Sequence, residues 1–137
     1  MARILSIDYG RKRTGLAVTD PLQLIAGGLA TVATSDLYDW LNDYIAHEPV
    51  ERIVIGEPRQ PNGQPSENLA RVQEFVKRWR RHVPSVPIEF YDERFTSVLA
   101  HQAMIDGGLK KKARQNKALV DEISATIILQ DYMRSRK

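Results

Sequence analysis

From Arg3 to Tyr9 apolar residues alternate with polar ones or run together, Gly10-Arg11-Lys12-Arg13 interrupts them, and Thr14 to Thr19 turns apolar again. Period-two patterning on both sides of a short glycine-containing polar break predicts a β-hairpin. A third strand is expected over Leu29 to Ala33, after Gly27-Gly28. Ser35 or Asp36 then offers an N-cap, and Leu37, Trp40, Leu41, Tyr44 and Ile45 follow at helical spacing until Pro49. Arg52 to Ile55 is a β-branched run closed by Gly56, and a strand placed after a helix suggests a parallel crossover. The stretch 58–65, rich in Pro, Gly, Asn and Gln, reads as a loop, with Ser66 capping a helix from Glu67 to His82. Its apolar stripe is Leu69, Val72, Phe75, Val76 and Trp79. Pro84 and Pro87 break the chain before a last strand, Ile88 to Tyr91, which runs into Asp92-Glu93-Arg94. Thr96 is expected to cap a short helix ending at Gly107-Gly108, Leu109 to Arg114 to form a basic loop, and Asn116 to Tyr132 a final helix.

This order, β-β-β-α-β-α-β-α-α, predicts an α/β fold. Five strands form a mixed sheet, the first three an antiparallel meander, with helices flanking it; an RNase H-like arrangement is a candidate. The 137 residues are expected to make a single domain, 1–137, since a chain of this size buries roughly two thirds of its unfolded surface without staples. There is no cysteine, which excludes thiolate zinc sites, CxxC redox chemistry and a Cys nucleophile, and suits a reducing compartment. The first apolar run, Ile4 to Ile7, is too short for the core of a signal peptide or for a membrane span. A cytoplasmic protein with no membrane partner is therefore expected.

With a formal charge of +3 the chain is only modestly basic, so the placement of charge matters more than its total. Basic residues bunch at Arg11-Lys12-Arg13, at Lys77-Arg78 with Arg80-Arg81, and at Lys110-Lys111-Lys112 with Arg114. A single bunch is what any solvated face can carry; the bunches gain meaning if folding gathers them on one side.

Three carboxylates stand out by position. Asp8 lies within an apolar alternating strand just before a turn, where an unpaired buried carboxylate costs several kcal/mol. Either a hydrogen bond to the turn or an ion pair with Arg11 or Arg13 satisfies it, or it ligates a metal, and Mg²⁺ favours such hard oxygen donors. Glu93 ends the fifth strand, where ordinary loop solvation is the plain alternative. Asp121 lies one turn into the last helix, on a face continued by Ser124, Ala125 and Ile128 that is expected to pack on the sheet, while Glu122 points elsewhere. A favourable charge near a helix N-terminus is its plain alternative. His47, His82 and His101 are scattered on helix faces or ends, and no Ser, His and acid triad is supported.

Asp8-Tyr9-Gly10-Arg11-Lys12-Arg13-Thr14-Gly15-Leu16-Ala17-Val18-Thr19-Asp20 resembles the opening signature of the YqgF (RuvX) family. Gly56-Glu57-Pro58 with Gly63, Asp92-Glu93-Arg94-Phe95-Thr96-Ser97, and Asp121-Glu122-Ile123-Ser124-Ala125 with Ile128-Leu129-Gln130 match in order, so the resemblance spans nearly the whole chain. Glu57 stands where an apolar residue is more usual, and Ser124 where Ala is common. The family comprises Holliday junction resolvases of the RNase H-like superfamily, also described as nucleases that mature the 5′ end of precursor 16S ribosomal RNA.

The resemblance implies that Asp8, Glu93 and Asp121 form the acidic set holding two Mg²⁺ or Mn²⁺ ions, with Asp8 bridging them and Gly10 and Gly15 shaping the hairpin alongside. It implies that Arg11, Lys12, Arg13 and Arg94 face the phosphate backbone and that Lys110, Lys111, Lys112 and Arg114 clamp nucleic acid, whether precursor rRNA or branched DNA. A monomer suffices for end trimming, whereas paired incision of a junction favours a homodimer. The rival readings are a junction resolvase of DNA recombination and repair, a nucleic-acid-binding module that does not cut, and an actin-like phosphate-loop ATPase, which 137 residues leave too little room to complete.

Overall fold

The structure is a computed structural model that describes residues 2–58, 67–92 and 117–135. Its elements are β1 (Arg3–Asp8), β2 (Arg13–Thr19), β3 (Ala26–Ala33), a 3₁₀ turn (Thr34–Asp36), α1 (Leu37–His47), β4 (Val50–Glu57), α2 (Leu69–His82), β5 (Ile88–Asp92) and α3 (Lys117–Ser135). The strands form one sheet in the order β3-β2-β1-β4-β5. β1 pairs antiparallel with β2 and β2 with β3, whereas β1 with β4 and β4 with β5 are parallel. The mixed five-stranded α/β sheet, with its opening meander and helical crossover, is thus the one the element order predicted.

Alternation along the central strands creates two different faces. On one, Leu5 and Ile7 of β1, Ile53 and Ile55 of β4, and Ile88 of β5 pack against Leu37 and Leu41 of α1 and Val72, Phe75, Val76 and Trp79 of α2. All five residues of the predicted α2 stripe are buried. Trp79 is wholly enclosed, and its indole N–H donates to the Val86 carbonyl at 2.9 Å, so the one polar atom of the ring is satisfied. On the other face, Ile4, Ala17 and Val54 pack against Ala125, Ile128, Leu129 and Tyr132 of α3. Small residues dominate the closest part of this second contact. The Ser6 hydroxyl donates to the Ala125 carbonyl at 2.6 Å, bringing helix backbone down to the sheet.

Several boundaries differ from the sequence expectation, each for a tertiary reason. β3 begins at Ala26 rather than Leu29, because Gly27 and Gly28 pair with Val18 and Ala17 of β2, and a ready partner outweighs the poor strand preference of glycine. A Cβ built on Gly28 would lie 3.6 Å from the Glu122 side chain of α3, in ordinary contact. β4 extends from Val50 to Glu57, through Gly56, because β1 and β5 bond it on both sides. Before α1, residues 34–36 wind into a 3₁₀ turn and Asp36 occupies the N-cap position without a side-chain cap bond. α2 starts at Leu69 after Asn68 rather than at Glu67 after Ser66, which lies outside the described residues. The Asn68 side chain does not cap the helix; its amide donates to the Tyr9 carbonyl at 2.7 Å and ties α2 to the end of β1. α3 continues past Tyr132 to Ser135. The predicted short helix after Thr96 and the basic loop from Leu109 to Arg114 lie outside the described residues. Among the described residues, no helix is long and apolar enough to cross a membrane.

Candidate active site

Asp8 is the last residue of β1, half-buried, on the same side of the strand as Ile4 and Ser6 and therefore on the α3 face. Its cross-strand partner is Gly15 of β2. A Cβ built on Gly15 would lie 2.1 Å from the Asp121 carbonyl oxygen and 3.0 Å from the Asp121 Cβ. Only a residue without a side chain lets the first turns of α3 descend this far. The Ser6 contact gives the same alignment independently. Moving back four residues along α3, from Ala125 to Asp121, advances about 6 Å, and two residues of strand, from Ser6 to Asp8, advance about 6.6 Å. Asp8 and Asp121 thus flank one glycine at the carboxyl end of a parallel strand, where open α/β sheets gather functional groups.

Arg13 opens β2 beside them. Its Nε lies 2.5 Å from Asp121 Oδ2, with the two side chains 38% and 21% exposed. Of the two basic residues considered as partners of Asp8, Arg13 thus pairs with Asp121, a carboxylate of its own chain. Arg11 and Lys12 stand exposed at the tip of the turn. That turn is braced by Thr34, which the sequence did not single out: its hydroxyl donates to the Gly10 carbonyl at 2.7 Å and its amide to the Lys12 carbonyl at 3.0 Å. Gly10 itself leaves no space for a side chain, since a Cβ would stand 2.1 Å from the Arg13 carbonyl oxygen. Gly15, by contrast, does not shape the hairpin turn; it is a strand residue that admits a helix.

Two further carboxylates end parallel strands. Glu57 of β4 and Asp92 of β5 are cross-strand partners. They share the alternation of Ile53, Ile55 and Ile88, which pack toward α1 and α2, and so fall on the opposite face from Asp8 and Asp121. On β5 the α3 side is taken by Glu89, bonded to the Tyr132 hydroxyl, and by Tyr91, whose ring meets Tyr132 edge-on at 6.1 Å. Glu93 lies outside the described residues, as do Arg94, Lys110, Lys111, Lys112, Arg114 and His101. Glu122 leans over β3 at Gly28, away from Asp121.

Among the described residues no three His, Cys, Asp or Glu side chains gather closely enough to hold a metal ion. Asp8 and Asp121 nonetheless fit a hard divalent cation in part: Mg²⁺ is commonly held by only one or two protein carboxylates, and both are oxygen donors. The guanidinium of Arg13 on Asp121 shows that this carboxylate sits where positive charge is favoured. His47 and His82 end α1 and α2, exposed and away from the α3 face. Next to Asp8, burial pushes the Tyr9 phenol upward against the opposing pull of Arg71, so it remains protonated at neutral pH.

Residues 2–135 match the RuvX family, described as Holliday junction resolvase. The chain belongs to the RuvX family. Among its RuvX-like relatives, a protein of Phocaeicola vulgatus is 65% identical over 137 residues, covering 100% of this chain and 99% of its own length, and bears the name "Putative pre-16S rRNA nuclease". A protein of Bacteroides thetaiotaomicron with the same name is 60% identical over the same span, again covering 100% of this chain and 99% of its own. Among solved structures, T. thermophilus RuvC in complex with Holliday junction substrate superposes with a TM-score of 0.59 at 19% identity, covering 98% of this chain and 96% of that one. That likeness bears on the fold, and the RNase H-like arrangement expected from the element order is the one RuvC shares.

Proposed function

We propose that this chain is a divalent-metal-dependent nuclease that matures the 5′ end of precursor 16S ribosomal RNA. The observation that carries the reading is the closeness of Gly15 to Asp121, which sets two acids from opposite ends of the chain beside each other at the end of β1. The names borne by full-length relatives at 65% and 60% identity favour ribosomal RNA as the substrate.

In this proposal Asp8, Asp121 and Glu93 would hold Mg²⁺ or Mn²⁺, which would supply Lewis-acid activation of water and charge stabilisation at the phosphodiester. The protein's own groups do the rest. Arg13 compensates Asp121 in the absence of other positive charge and turns toward a substrate phosphate when Asp121 is otherwise satisfied. Arg11 and Lys12, exposed at the turn, contact phosphates and fix the register of the strand without reading its sequence. Arg94, Lys110, Lys111, Lys112 and Arg114 extend those contacts. Residues 1–137 act as one catalytic domain, working in the cytoplasm on ribosomal precursors, and one copy is enough to trim an end.

The test is cleavage of a precursor 16S RNA segment and of a four-way DNA junction by the purified chain, with Mg²⁺ and with chelator. Metal-dependent shortening of the RNA at its 5′ side supports the proposal. Cutting confined to the junction replaces it with the resolvase reading, which the RuvC-like fold favours. Binding of either substrate without cleavage under every metal condition leaves only a nucleic-acid holder.

A further inference from the structure

We infer that the cleft between Tyr9 and the exposed side of α2 binds the single-stranded RNA flank of the substrate as it leaves the cleavage site. The inference rests on the nuclease reading above and adds to it a surface on the opposite face of the sheet. A cleft of about 670 Å³ is lined there by Tyr9, Arg71, Phe75, Arg78 and Arg81, with Glu74 the one acid among its lining residues.

Its charge exceeds what helix stability requires. α2 carries Arg71, Lys77, Arg78, Arg80 and Arg81 against the single acid Glu74, an excess larger than the +3 of the whole chain. Arg80 and Arg81 fall in the last turn, where the helix dipole favours cations. Arg71 falls in the first turn, where the dipole disfavours one, and it faces the cleft. No ion pair joins Arg71, Arg78 or Arg81 to a carboxylate among the described residues. The Arg78 guanidinium is held 3.9 Å above the Tyr38 ring, which fixes a positive charge at the wall of the cleft.

Between these guanidiniums lies an aromatic floor. The half-buried Tyr9 ring supplies its accessible surface and rests tilted, at 5.6 Å, on Phe75, which is buried in the core behind it. Cationic walls with an aromatic surface between them are the combination that binds single strands, because phosphates meet the charges while unstacked bases lie on the rings. A duplex keeps its bases stacked internally and gains only the charges.

Position links the cleft to the carboxylates. Tyr9 follows Asp8 directly, with Asp8 on the α3 face and Tyr9 on the α2 face. The bond from the Asn68 amide to the Tyr9 carbonyl holds the start of α2 at the same sheet edge. A strand crossing the end of β1 therefore passes from the carboxylates into the mouth of the cleft.

The experiment compares the full chain with Arg71→Ala/Arg81→Ala, two exposed positions whose loss should leave the melting temperature unchanged. Binding of a labelled oligouridylate, an oligothymidylate and a duplex of equal length is followed by anisotropy without metal, across a range of salt. The variant should bind oligouridylate more weakly, with a salt slope shallower by about 1.4, roughly 0.7 for each lost phosphate contact. On a precursor with a long single-stranded extension its KM should rise at constant kcat, and on a substrate lacking the extension neither should change. Unchanged oligouridylate binding overturns the inference, as does an equal loss on the duplex or a larger loss on oligothymidylate than on oligouridylate. If the parent binds RNA through these arginines yet never cleaves, the nuclease reading fails and the cleft keeps its ligand. If the parent cleaves and the variant binds normally, the cleft alone fails.

Discussion

Gly15 of β2 supports the backbone of Asp121 in α3 so closely that the missing side chain is what makes the contact possible: an added Cβ would overlap the Asp121 carbonyl oxygen at 2.1 Å. Strand and helix backbone are the colliding partners, and neither can rotate aside as a flexible side chain would. Gly15→Ala should therefore lift the start of α3 from the sheet, at a cost in the overpacking range of about 1–3 kcal/mol. Urea unfolding would measure that cost, and cleavage assayed well below the unfolding transition should fall further than the folded fraction does. Full activity in a folded Gly15→Ala protein would break the link between this contact and the site.

Asp8→Asn keeps the size of the side chain and removes its charge. Cleavage should be abolished while nucleic-acid binding is largely kept, because phosphate contacts come from basic residues rather than from Asp8. Parallel cleavage and anisotropy measurements decide it, and an equal loss of both would count against the catalytic assignment.

Arg13 occupies Asp121 with a charge that a metal ion would replace. Since Arg13 is 38% exposed, solvent screening limits the pair itself to about 1 kcal/mol or less. Arg13→Ala should lower the melting temperature only slightly without divalent ions, and Mg²⁺ should raise it more in the variant than in the parent. Identical Mg²⁺ responses in thermal unfolding would show that guanidinium and metal do not compete.

Asp20 organises the loop between β2 and β3, accepting backbone N–H bonds from Leu22 at 3.1 Å and from Leu24 and Ile25 at 2.8 Å. These bonds, that of Ile25 foremost, hold its carboxyl below the usual 3.8. The stability they give is present above that ordinary value and disappears as pH falls through the lower folded one. Urea midpoints measured from neutral to strongly acid pH should thus show a loss below pH 4 in the parent that is reduced in Asp20→Asn.

Trp79 is the largest fully buried side chain, and Trp79→Ala should destabilise the fold by about 3–5 kcal/mol. Trp79→Phe keeps much of the packing and leaves the Val86 carbonyl without its donor, so a smaller loss is expected. Equal denaturation midpoints for the two variants would contradict the role given to the indole N–H.

Part of the site was legible without coordinates. Asp8 stood out as a charge in a strand otherwise reserved for apolar side chains, and the face of the last helix was read correctly: Ser124, Ala125 and Ile128 are buried as that face requires. Other parts left no mark on their own neighbourhoods. Thr34 resembles any polar residue after a strand until β3 returns it to the Gly10 turn, and Arg13 gave no sign that it would bond Asp121. Glycines misled in both directions. Gly27-Gly28 looked like punctuation and became strand, and Gly15 looked like a hairpin residue and became the seat of a helix.

By itself the sequence determined the kinds of elements and their order, because strand alternation and helix stripes are local periodicities that the backbone enforces within a few residues. Tertiary structure decided which of those residues meet. Ser6 and Ala125 are 119 positions apart, and the slide of α3 along β1 depends on small side chains on two surfaces at once. Complementarity of that kind belongs to neither segment alone. It brings Asp121 to Asp8 on one face, while the pairing register of β4 and β5 leaves Glu57 and Asp92 on the other.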